Sequence, residues 1–174
     1  MTTRKSMKLP IIITFIFICI IVYLFMNIKQ TQVICAKSRT FDSNIKLEEE
    51  VTATIDNKSI SSLYIYKKIS LPEKYNKKEQ AIKGIKNSLE NSLEYLGKKV
   101  TYEVTEDSVI VRIKVNKDEL VLLDNINIVD NNGELGINID VNIKSRDVIT
   151  LAVGDNYSDG ELMKRLRNNG YYCK

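Results

Sequence analysis

Twenty consecutive residues, Leu9–Ile28 (LPIIITFIFICIIVYLFMNI), carry no charge and lie between Lys8 and Lys29. A helix of that length reaches about 30 Å at about 1.5 Å per residue, the thickness of a bilayer's hydrocarbon core. The expectation is a single transmembrane helix over residues 9–28 that partners the lipid bilayer. A basic tail at 1–8 would precede it, and a polar stalk at 29–40 and one folded domain at 41–174 would follow. Arg4, Lys5 and Lys8 stand before the span with no acid among them. Such charges hold the N-terminus in the cytoplasm and put the C-terminal domain on the extracytoplasmic side of the cell membrane. A secretory signal peptide begins similarly, but its apolar core runs to about 7–15 residues and ends at an A-x-A-like site. This run is longer and Ile34-Cys35-Ala36 is a poor match, so retention is expected; neither Cys19 nor Cys35 follows the small residues of a lipid-attachment site.

Charge narrows the partners. Setting aside the three tail cations leaves 26 − 3 = 23 basic residues against 22 acids, a formal charge of +1 for residues 29–174. Near-balance without a basic run argues against a nucleic-acid surface. The length beyond the stalk suits one core rather than two.

Hydrophobic periodicity then outlines the domain. From Ile45 apolar residues alternate (Ile45, Leu47, Val51, Ala53, Ile55), break at Asp56-Asn57-Lys58 and resume at Leu63, Ile65 and Ile69, which reads as a hairpin. After Pro72, Asn76-Lys77-Lys78-Glu79 has the form of a capping box. Ile82, Ile85, Leu89, Leu93 and Leu96 then step by three or four towards Gly97, predicting an amphipathic helix. Val100–Val104 and Val109–Val115 predict a second hairpin around Glu106-Asp107. A third is expected around Asn131-Asn132-Gly133, from the runs Leu120–Leu123 and Ile126–Val129 and the alternation Ile137, Ile139, Val141, Ile143. Val148–Val153 reads as a strand before a short helix capped by Ser158-Asp159-Gly160-Glu161, striped by Leu162, Met163 and Leu166 and stopped by Gly170. The fold class is α+β: an antiparallel sheet of hairpins packed by one long and one short C-terminal helix. Strands apolar on one face suit antiparallel pairing.

This order of parts, with TYEVTEDSVIVRIKV after the first domain helix and the closing ELMKRLRNNGYYC, resembles the YehR-like family of small extracytoplasmic lipoproteins over roughly residues 43–173. That family's function is unknown, so the resemblance implies a layout and no site residue. A transmembrane helix here takes the place of the family's lipid anchor.

The chain has no histidine, which removes the commonest general base and zinc ligand and excludes Ser–His and Cys–His catalysis. Glu48, Glu49 and Glu50 are consecutive on a strand and alternate between faces, so a solvated edge is expected rather than a metal site. Asp130-x-Asn132-x-Glu134 opens like a calcium loop, yet Leu135 and Val141 replace its glycine and its bidentate glutamate. Asn138, Asp140 and Asn142 are expected on a solvent face, and the lone glycine of Val153-Gly154-Asp155 makes no phosphate loop. No catalytic residue, metal or cofactor is therefore expected, and the chain does not read as an enzyme.

Cys35 and Cys173 bracket the outer domain and form a disulfide candidate in an oxidising compartment; free thiols or intermolecular links are the alternatives. The expected role is a binding or interaction module for an unidentified protein or envelope ligand, accessory to an envelope complex. A carboxylate-based hydrolytic or transfer enzyme and a structural envelope protein are the other two readings.

Overall fold

The computed structural model describes residues 8–27, 30–41, 44–75, 77–95, 99–117, 119–123, 125–131, 134–139 and 148–174. The chain divides into two units, Met1–Gln30 and Thr31–Lys174. The first holds helix α1 (Lys8–Asn27), whose side chains are described over residues 13–22. All ten are exposed, and apart from Thr14 and Cys19 they are aliphatic or aromatic, Phe15 at 68% and Phe17 at 66% among them. Among the described residues, no helix is long and apolar enough to cross a membrane.

The second unit is an α+β fold. It contains β1 (Gln30–Thr40), β2 (Lys46–Asp56), β3 (Ser59–Ser70), α2 (Lys78–Tyr95), β4 (Lys99–Val104) and β5 (Ser108–Val115). These are followed by β6 (Leu120–Leu123), β7 (Ile126–Asn131), β8 (Glu134–Ile139), β9 (Ile149–Ala152), α3 (Asp159–Asn168) and β10 (Tyr172–Cys173). Six strands form one antiparallel sheet in the order β10-β1-β2-β3-β5-β4, while β6 pairs with β9 and β7 with β8 in two small sheets. The β2–β3 hairpin turns through Asn57 and Lys58, both at positive φ (48° and 65°), the backbone that lets a two-residue loop follow the twist of its strands.

Register decides which face is buried. Leu47 lies opposite Ile69, Val51 opposite Ile65 and Ala53 opposite Leu63; Ile69, Ile65 and Leu63 in turn oppose Val109, Ile113 and Val115. Those rows join Ile82, Ile85 and Leu89 of α2, Leu162 and Leu166 of α3, and Val121, Leu123, Ile126, Ile149 and Leu151 of the small sheets in one core. Each fully buried isoleucine or leucine there stabilises the fold by about 1.5–3 kcal/mol. Period two sends the intervening residues, Glu50, Thr52, Tyr64, Tyr66, Arg112 and Lys114, to the opposite face.

The α+β class, the first two hairpins, the β7–β8 pair, the strand before α3 and both domain helices agree with the sequence reading. Asn76, Leu96, Gly97, Asn132, Gly133, Asp140, Val141, Asn142 and Ile143 lie outside the described residues. One expectation needs correcting: residues 30–40 are not a stalk but strand β1, with Val33 and Cys35 buried, and the unit begins at Thr31 rather than Phe41. Only Val33 and Cys35 mark the core-facing row of this strand, because Lys37 and Arg39 follow them in the same phase. Both cations are satisfied in place, Lys37 Nζ donating to the Asn169 carbonyl at 2.6 Å and an Arg39 amine to the Ile126 carbonyl at 3.2 Å.

Candidate functional site

The two sequence-selected cysteines are bridged: Cys35 and Cys173 form a disulfide. They are direct partners across the β1–β10 pair, and the Lys174 amide donates to the Ile34 carbonyl at 3.1 Å. That bond makes residues 34 and 174 a hydrogen-bonded pair, so residues 35 and 173 form a non-hydrogen-bonded one, the arrangement in which opposed side chains come closest. Cys19, on α1, is a free thiol.

Inside the sheet lies a polar cluster that the sequence reading missed. Glu49 and Lys67 are direct cross-strand partners on the core face, each 3% exposed. Lys67 Nζ sits 2.7 Å from Glu49 Oε2 and donates to Asn125 Oδ1 at 2.8 Å. The Tyr171 hydroxyl donates to Glu49 Oε1. A buried charge needs a partner and further hydrogen bonds to offset lost hydration, and this cluster supplies both. It ties three parts of the chain together: the β2–β3 hairpin, the connection before β7, and the residue leading into β10. The expectation of a solvated glutamate run is thereby corrected for Glu49, while Glu48 and Glu50 occupy the other face.

On that other face the sheet is lined by paired side chains. Lys114 Nζ lies 5.9 Å from the Tyr64 ring centre and the Arg112 guanidinium 5.8 Å from that of Tyr66. Arg112 also pairs with Glu103 at 2.9 Å, both about half exposed. A slot of about 410 Å³ on this face is lined by Glu50, Tyr64, Tyr66, Arg112 and Lys114, and by Ile65 and Ile113, which are opposed in register. The Ile65 and Ile113 side chains belong to the core, so the slot is floored by their main chain. A second groove of about 420 Å³ shares Glu50 and Tyr66 with it and reaches Ala36, Ser38, Glu48 and Tyr172. Tyr64 and Tyr172 are 46% and 72% exposed. Surfaces of this kind offer ring edges, hydroxyls and charge together.

Among the described residues no three of His, Cys, Asp and Glu converge as metal ligands. The chain matches no family model, no curated protein and no solved structure.

Proposed function

We propose that this chain is a single-pass, membrane-anchored extracytoplasmic binding or interaction module, accessory to an envelope complex. The observation that carries the reading is the face of the main sheet that no described element covers. The residues that build the core lie on one side, while the other presents paired tyrosines and cations around a slot. Anchoring is supported by the charge-free run Leu9–Ile28 taken as a whole, of which the ten described side chains are only half. Extracytoplasmic placement is supported by the Cys35–Cys173 bridge, since cytosolic reductants keep such thiols apart. Kinship with the YehR-like lipoproteins is part of the proposal and rests on the order of elements and on the runs TYEVTEDSVIVRIKV and ELMKRLRNNGYYC.

A carboxylate-based hydrolytic or transfer enzyme is the second reading, favoured by one observation: Glu48 and Glu50 line the same groove beside Tyr66 and Tyr172. Turnover that is lost in Glu48→Gln and Glu50→Gln would favour it. A structural envelope role is the third.

The test is a membrane-impermeant crosslinker applied to intact cells carrying the full chain. A specific neighbour should be captured, and capture should fall when Tyr66 and Arg112 are both replaced by alanine. If the domain goes unlabelled on intact cells but is labelled after lysis, the orientation is wrong. Capture indifferent to the double substitution would remove the sheet face from the account.

A further inference from the structure

We propose that Lys67 and Asn125 become joined by an isopeptide bond that forms within the folded chain, with Glu49 as the catalytic acid–base. The inference is independent of the sheet face and concerns the buried cluster alone.

Geometry comes first. Lys67 Nζ stands 2.7 Å from Glu49 Oε2, donates to Asn125 Oδ1 at 2.8 Å and reaches the Leu122 carbonyl at 3.5 Å. An amine, a carboxamide and a carboxyl group therefore meet at one nitrogen. With a carbonyl bond of about 1.23 Å, the contact to Oδ1 places Asn125 Cγ about 3–4 Å from Nζ. Near-attack separations are about 3–3.5 Å, so a small turn of the amide brings its carbon to the amine. The Tyr171 hydroxyl donates to Glu49 Oε1, which leaves Oε2 facing Nζ.

Burial is the second observation. Glu49 and Lys67 are each 3% exposed and Asn125 is 4% exposed. Leu47 and Val51 flank Glu49, Ile65 and Ile69 flank Lys67, Leu123 and Ile126 lie either side of Asn125, and all of these belong to the core. In such surroundings, moving one proton from Nζ to Oε2 replaces two buried charges by two neutral groups, and the neutral amine is the nucleophile. Its lone pair forms a bond to Asn125 Cγ, while Glu49 gives a proton to the amide and takes one from Nζ. Collapse then breaks the Cγ–Nδ2 bond, whose electron pair leaves on ammonia. Of the three protons on the Lys67 ammonium, one remains on the new amide and one departs on the ammonia. The third stays on the Glu49 carboxyl or leaves with the ammonia as ammonium. No oxidant or reductant is consumed.

Residues 67 and 125 are 58 positions apart, so the bond ties β3 of the main sheet to the connection before β7. The freshly folded chain holds the ion pair, and the energetics of substituting Glu49 or Lys67 belong to that unjoined state. A cluster that served packing alone would keep Lys67 and Asn125 as separate side chains.

The experiment purifies the full chain in non-ionic detergent, reduces and unfolds it, and reads its intact mass before and after tryptic digestion. The wild type should be lighter than its sequence by one ammonia, and Lys67 and Asn125 should be recovered in a single branched peptide. Asn125→Ala should show its full mass and no branch. Glu49→Gln should join at least about 100-fold more slowly, the low end of what a positioned acid–base group contributes, followed as the branched fraction after a pulse of labelled synthesis. The wild-type mass is decisive even where a variant fails to fold. Wild type at full mass after prolonged incubation overturns the proposal, as does loss of ammonia without a branched peptide, which a succinimide at Asn132-Gly133 would give. Equal joining in wild type and Glu49→Gln overturns the role given to Glu49.

Discussion

At the scale of the residue, Glu49 and Lys67 stand where the alternation of β2 and β3 otherwise places aliphatic side chains. Leu47 and Val51 flank the one, Ile65 and Ile69 the other, and all four are buried. The interruption of each apolar row was legible in the sequence. Their alignment was not, because it depends on a two-residue turn at Asn57-Lys58 and on a bulge near Thr54 that together set the hairpin register. A buried pair of this kind resists the loss of one partner far more than the loss of both, since a lone charge in the core keeps its dehydration cost. Glu49→Leu and Lys67→Met should each destabilise the domain by about 3–5 kcal/mol, while the double variant should fall near wild type or above it. Denaturant unfolding of the two single variants and the double measures this as a coupling energy. Additive losses would show that the two groups are solvated independently.

At the scale of the element, α3 was the most legible part of the chain and β1 the least. Ser158 and Glu161 satisfy one another's main chain as a capping box, Leu162 and Leu166 face the core, and Gly170 leaves the helix at φ 84°. Every one of those interactions is local, so the pattern is complete within a dozen residues. β1 has no such signature; only its pairing with β2 and β10 makes a strand of a polar stretch. The cap also carries a pH dependence. The Ser158 hydroxyl, followed by the Ser158 amide, holds the Glu161 carboxyl below its ordinary value. A depressed carboxylate pKa means that the folded chain releases its proton more readily than the unfolded one. Its stabilising effect is therefore present above the unfolded value and fades as pH falls through the folded one. Melting curves should separate wild type from Glu161→Gln near neutral pH, and the gap should narrow as pH falls below the ordinary glutamate value of about 4.3. A gap unchanged down to about pH 3 would show that the charge contributes nothing. Ser158→Ala should cost about 1 kcal/mol at neutral pH.

At the scale of the whole molecule, the disulfide spans a sequence separation of 138 and holds a strand of only two residues to the sheet edge. Joining positions so far apart restricts the unfolded chain by about 4–5 kcal/mol in the chain-entropy account. Cys173→Ser, or reduction, should lower the melting temperature, and peptides from unreduced protein should contain Cys35 linked to Cys173 by mass spectrometry. Free thiols at both positions in natively expressed protein would refute the bridge. The position of these cysteines at the two ends of the domain made their pairing a legible candidate, whereas the strand around Cys35 came from contacts that no local pattern announces. The same separation has a consequence in time. The β2–β3 and β4–β5 hairpins close over short stretches of chain, but β1 can meet β10 only after more than a hundred further residues have been delivered. During that interval Cys35 is a lone thiol on an open strand edge, the geometry that invites pairing with another copy. Fidelity of assembly is thus set by a race between intramolecular closure and encounter, so crowding of nascent chains, more than the strength of the finished fold, decides how much protein ends correctly bridged.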